Sequence, residues 1–171
     1  EKHAFDGSFY LRRKDELLMG DTGFAQVSAR SSNSFRSRQL YRESKPPEKI
    51  EMQFEKQKYT LVKNGATWSI EPDPGFTVDA GKINNWVEQF LEFKPAELVK
   101  DDPSEEERRG YLLVVPSIKI VVNKDWNLLI GQDRAQDVFM VTNKKSTVFR
   151  STVQAIGTLR VPPVYFRDGK R

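Results

Sequence analysis

Hydrophobic residues recur in the same order near the two ends of this chain. Phe9-Tyr10-Leu11, a polar turn, Leu17-Leu18-Met19 and then Phe24-x-x-Val27 are matched by Val138-Phe139-Met140-Val141, a polar turn, Thr147-Val148-Phe149 and then Val153-x-x-Ile156. Each run predicts a β-hairpin leading into a short helix. A basic exit follows each: Arg36-Ser37-Arg38-Gln39-Leu40-Tyr41 in the first copy, and 159–166, with Arg160, in the second. Neither copy contains a set of residues that could run a reaction.

Between the copies, Ile50, Met52 and Phe54 alternate with Glu51, Gln53 and Glu55, the period of a half-buried strand. Tyr59 and Leu61 continue the pattern up to Asn64-Gly65, and Trp68 and Ile70 follow. Asn-Gly between two such runs predicts a type I′ hairpin corner, and 50–71 reads as a three-stranded meander. From Asp79, a helix cap, Ile83, Trp86, Val87, Phe90 and Leu91 fall on one stripe, which predicts a central amphipathic helix over 79–94 closed by Pro95. Asp101-Asp102-Pro103 predicts a short helix over 103–109, with acids early, arginines late and Gly110 as terminator. Ile118, Ile120 and Val122, a turn at Asn123-Lys124-Asp125, and Trp126 to Ile130 predict a further hairpin stopped by Gly131.

These elements predict an α+β fold of duplicated hairpin-plus-helix units, mostly antiparallel meanders and one central amphipathic helix. The organisation reads as a first unit over 1–100 and a second over 101–171, which a chain of 171 residues can also pack as one compact domain. No βαβ alternation is visible, which argues against nucleotide-binding folds of the doubly wound kind.

Composition narrows the chemistry. There is no cysteine and a single histidine, His3, so Cys/His zinc sites, thiol nucleophiles, disulfides and iron–sulfur or haem ligation are excluded or nearly so. The expectation is no metal, no cofactor and no catalytic residues. A pI near 9.2 points towards nucleic acid until 24 acidic residues are set against 28 basic ones, a mixture that usually marks a solvated surface. The chain opens at Glu1 without an initiator Met, which reads as a segment of something longer.

Each candidate reaction meets a simpler reading. His3 belongs to a terminus, and no G-x-S-x-G elbow accompanies it. Asp101, Asp102 and Glu105 to Glu107 sit where a helix start favours negative charge. Gly20-Asp21-Thr22-Gly23 has no second Asp-Ser/Thr-Gly partner and reads as a turn. Trp68, Trp86 and Trp126 occur within apolar patterns and read as core. The basic stretch over 30–49 carries Arg30, Arg36, Arg38, Arg42, Lys45 and Lys49 against Glu43 and Glu48, with Phe35 and Tyr41 interleaved. Such a stretch can hold phosphates and stack bases, although Phe35, Leu40 and Tyr41 read more simply as core anchors. A nucleic-acid-binding module using this stretch is therefore the runner-up, and a hydrolase comes third.

The order of motifs resembles an uncharacterised bacterial domain family. Ile118-x-Ile120-x-Val122 to Leu128-Leu129-Ile130-Gly131, then Val138-Phe139-Met140-Val141, then Thr147-Val148-Phe149 and a short helix, is similar to its run of hydrophobic strand, turn, Leu-rich strand ending in Gly, two strands and helix. Phe35-Arg36-Ser37-Arg38-Gln39-Leu40-Tyr41 looks like its arginine-containing exit, and Trp68-x-Ile70-x-Pro72 with the helix after it resembles its Trp-x-Leu/Ile-x-x-Pro segment. That family comprises extracytoplasmic proteins associated with ABC-2 type transporters, including auxiliary components of the gliding-motility transporter. The resemblance implies a non-enzymatic, periplasmic binding or scaffold domain, tethered to a membrane outside this segment. Its partner would be a transporter component or an envelope polymer, with Arg36, Arg38 and Arg42 as the expected partner-binding residues.

Overall fold

The computed structural model describes residues 9–13, 15–20, 36–54 and 56–169. Contacts divide the chain into two units, Glu1–Ser37 and Arg38–Arg171. In the first, β1 (Phe9–Arg13) and β2 (Glu16–Gly20) form an antiparallel hairpin with Leu11 opposite Leu18. The helix expected around Phe24 and Val27 lies outside the described residues.

The second unit is built on one antiparallel sheet. Its strands are β3 (Lys49–Phe54), β4 (Gln57–Asn64), β5 (Thr67–Glu71), β6 (Glu97–Asp101), β7 (Ile118–Val122), β8 (Trp126–Ile130), β9 (Asp137–Thr142) and β10 (Lys145–Thr152). They lie in the order β5-β4-β3-β7-β8-β9-β10-β6. With the short helices described next, this is an α+β arrangement. The β3–β7 pairing joins strands from either side of residue 100 and β6 itself runs across it, so the sheet is continuous across the boundary the sequence placed there.

Alternation decides which side chains meet. Ile50, Met52, Leu61, Ile118, Ile120, Leu128, Ile130 and Met140 are all fully buried on one face of the sheet. Over that core packs α1 (Ala80–Glu92), which buries Ile83, Trp86, Val87 and Phe90. Asp79 caps it, accepting from the Gly81 and Lys82 amides at 2.9 and 3.2 Å. The Asp79 amide in turn donates to the Phe166 carbonyl, fixing the helix start to the C-terminal segment.

A chain of aromatic contacts runs through this core. Tyr41 meets Trp126 edge-on at 5.2 Å, Trp126 meets Phe90 at 5.7 Å, Phe90 stacks on Trp86 at 5.6 Å, and Trp86 meets Phe166 at 6.1 Å. Polar ends of these rings find backbone acceptors: Trp86 Nε1 donates to Thr158 O at 2.8 Å, and the Tyr59 hydroxyl to Val161 O at 2.5 Å. Burial pushes the Tyr59 phenol well above its ordinary pKa, so it remains a donor.

The opposite face is uneven. On β3, β4 and β7 it carries Glu51, Gln53, Lys58 and Lys119, whereas Phe139, Val141 and Val148 form a second, smaller cluster with Leu113. That cluster is covered by the segment leaving α2 (Glu105–Gly110), where Tyr111 lies 4.9 Å from Phe139. Gly131 makes the close approach possible, because a Cβ there would stand 2.9 Å from the carbonyl oxygens of Tyr111 and Leu112.

Three local expectations are corrected. The β4–β5 corner is Gly65-Ala66, not Asn64-Gly65: Asn64 is the last residue of β4, and only Gly65 has positive φ, +64°, as a type II′ corner needs at its first position. The helix expected over 103–109 is α2, Glu105–Gly110: Ser104 caps it in a capping box with Glu107, so Pro103 precedes the helix rather than standing in its first turn, and Gly110 closes it from within. Asp101 ends β6, a strand absent from the sequence reading. The helix after β10, α3 (Val153–Ile156), is a single turn capped by Thr152.

Candidate partner-binding surface

Leu40 and Tyr41 are consecutive buried residues, 4% and 6% exposed, and they pin the basic exit segment to the core. Tyr41 is fastened further by a 2.8 Å hydrogen bond from its hydroxyl to Lys45 O. Its phenol is raised by burial and secondarily by Glu43. The anchoring leaves the flanking arginines outside: Arg36, Arg38 and Arg42 are all exposed. Arg36 belongs to the first unit, Arg38 donates to the carbonyl of Ala96 at the start of β6, and Arg42 follows the anchor. Arg30 and Phe35 lie outside the described residues, as do His3 and Asp21 to Gly23.

Past Arg42 the segment meets the β7–β8 corner, where Asn123 works as a clasp. Its Oδ1 accepts from the Glu48 and Lys49 amides at 2.9 and 3.0 Å, its Nδ2 donates to Pro46 O at 3.0 Å, and its own amide donates to Lys49 O. Positive φ at Asn123 and Lys124, 49° and 67°, turns the corner tightly enough to present both. Between corner and segment lies an open groove of about 560 Å³ lined by Lys45, Pro46, Glu48, Lys49, Asn123, Lys124 and Asp125. A second recess of about 310 Å³ adjoins it, floored by Tyr41 and Trp126 and rimmed by Lys144 and Glu43.

The charge of this surface is mixed. Lys45, Lys49, Lys124 and Lys144 face Glu43, Glu48 and Asp125, and Lys49 is 3.2 Å from Glu51. Such a rim favours an acidic ligand weakly and in a salt-dependent way. The sequence reading found Lys45 and Lys49 but missed Asn123, Lys124 and Lys144. A signal was present: Asn-Lys occurs at two hairpin corners, 123–124 and 143–144, and Asn143 likewise bonds a neighbouring strand, through Asn127 N and Asp125 O, both at 2.8 Å.

The acidic run has local duties. Asp101 Oδ1 accepts from Thr147 Oγ1 at 2.6 Å, Glu105 pairs with Arg109 at 2.7 Å, and Glu107 is held below its ordinary pKa by the Ser104 amide and by Lys100. Trp68, Trp86 and Trp126 are all buried. Among the described residues no three or more His, Asp or Glu side chains gather as a metal-holding group, and no helix is long and apolar enough to cross a membrane. No family model, no curated protein and no solved structure matches the chain.

Proposed function

We propose that this protein is a binding or scaffold domain without catalytic activity, acting outside the cytoplasm as an accessory part of an ABC-type transport system. The observation that carries the binding reading is the lysine-rimmed groove between Lys45–Lys49 and the Asn123 corner, an open surface on a rigidly clasped backbone. Support for the transport setting comes from the motif order around Trp68-x-Ile70-x-Pro72 and Leu128 to Gly131. The partner is an acidic face of a transporter subunit or an acidic envelope polymer. Duplication of the hairpin-plus-helix unit is part of the same reading, resting on the rhyme between 9–28 and 138–157.

A photo-crosslinking residue placed at Lys124, in the native host, tests it. The expected adduct is a permease or envelope component recovered from the periplasmic fraction, and it should vanish when Lys45 and Lys144 are changed to Glu. Adducts made only with cytoplasmic proteins or nucleic acid would refute the assignment. The basic stretch keeps the nucleic-acid reading in view: strongly salt-dependent capture of an oligonucleotide, lost in Arg42→Ser/Lys45→Ser, would favour it.

A further inference from the structure

Strand β5 is one border of the eight-stranded sheet, and the backbone groups on its outer edge follow from its pairing with β4. The Gly65-Ala66 corner makes Asn64 and Thr67 the closing, hydrogen-bonded pair of the β4–β5 hairpin, and bonded and non-bonded pairs alternate from there. Val62/Ser69 and Thr60/Glu71 are then bonded pairs, while Trp68 and Ile70 stand in the non-bonded ones. The amide and carbonyl of Trp68 and of Ile70 therefore point away from β4. No hydrogen bond from another described residue reaches these four groups. The strand also lacks the usual guards of an edge: its register is unbroken, no proline interrupts it, and its one charge is Glu71 at the end.

We propose that β5 pairs antiparallel with β5 of a second copy of this chain, about a twofold axis through Ser69, joining two sheets into one. The register follows from the outward groups. With Trp68 opposite Ile70 of the second copy, all four amides and carbonyls on each side are matched, Ser69 faces its own copy, and Glu71 faces Thr67 rather than another carboxylate. A shift one way would put Pro72, which has no amide, opposite Trp68; a shift the other way would draw the Gly65-Ala66 corner into the ladder. In the matched register the corner of the second copy arrives beside Pro72 and Asp73. There the surface is an apolar groove of about 310 Å³ lined by Ile70, Pro72, Phe76 and Val164, with Val164 55% exposed. A five-residue ladder covers less than the ~1,200 Å² of a tight interface, so association is weak and concentration-dependent. This assembly does not depend on the transport reading.

Sedimentation of the full chain from about 1 to 500 μM should show a monomer–dimer equilibrium. Ser69→Lys should weaken it at least tenfold, Ser69→Glu likewise, and mixing the two should restore a heterodimer because the opposed side chains then attract. Since the chain has no cysteine, Ser69→Cys offers a single thiol. Opposed non-bonded positions bring the Cβ atoms near disulfide distance, so mild oxidation should link this variant far faster than Gln53→Cys, a control on the open sheet face. A monomer at every concentration, or a dimer that neither crosslinks at residue 69 nor responds to the charge pair, would overturn the proposal. Unchanged melting of the charged variants separates lost pairing from lost folding.

Discussion

The two ends of the large sheet are built to opposite rules. At the β5 end the strand is uncharged over its first four residues, lies under α1, and turns outward the backbone groups of Trp68 and Ile70, which no other described residue bonds. At the β6 end the strand carries Glu97, Lys100 and Asp101, its neighbour β10 is broken by a register shift between Val148 and Phe149, and Arg38 bonds the carbonyl of Ala96 just ahead of it. Charges and bulges are what blunt an edge against pairing. Among the described residues the β6 end thus carries the features that resist an added strand and β5 lacks them, and the proposed assembly rests on this asymmetry.

Packing differs in the same direction, which gives the largest expected effect. Phe90 sits in the main core between Trp86 and Trp126, and Phe90→Ala should cost about 3–5 kcal/mol by urea unfolding. Phe139 belongs to the small cluster near the β6 end and is 8% exposed, so Phe139→Ala should fall at or below about 3 kcal/mol. Equal losses would mean that the two clusters are not unequal cores.

Helix caps sharpen the contrast at a smaller scale. Asp79→Ala removes the cap of α1, whose buried face closes the main core, and should lower global stability by about 1 kcal/mol. Ser104→Ala removes the cap of α2, which buries none of its own side chains, so the loss should appear as faster amide exchange in 105–110 with little change in melting. A global drop of the same size from Ser104→Ala would show that α2 is integral to the core.

Acid gives the smallest effect. Hydrogen bonds from Arg160 hold the Asp133 carboxyl below its ordinary value, tying the β8–β9 connection to the segment after α3. A carboxyl whose folded pKa lies below its unfolded one stabilises the fold above the unfolded value. That contribution is lost as pH falls from about 4 through the folded pKa. Asp133→Asn should accordingly flatten the acid limb of a melting-temperature profile while leaving it little changed in shape at pH 7. An unaltered acid limb would show that the pair carries no linkage.

Much of the strand content was legible because period-two alternation is strong where one face is buried, as in Ile50 to Phe54 and Ile118 to Val122. The helix Ala80–Glu92 was legible for the same reason at its own period, though it stops two residues before Lys94, as the chain turns extended at Phe93 ahead of Pro95. Strand β6 was not: Glu97-Leu98-Val99-Lys100-Asp101 has only two apolar residues, and its pairing is decided by β10, about fifty residues later. The groove beside Asn123 was not legible for a related reason. Arginine clustering can be read along the chain, but the groove is completed by corners from β7–β8 and β9–β10 whose proximity is purely tertiary.

The pinning of Leu40 and Tyr41 also governs how the second unit would bear a mechanical load. Chain arriving from residue 37 passes these anchors and enters β3, an interior strand paired with β4 over Lys49 to Phe54 and with β7 over Ile50 to Phe54. Tension applied there would have to draw the Tyr41 ring off Trp126 and then shear both ladders together, rather than peel a border strand one bond at a time. Loaded along the axis of β3, the two ladders would resist together, so the leading end of this unit is held by two pairings rather than one.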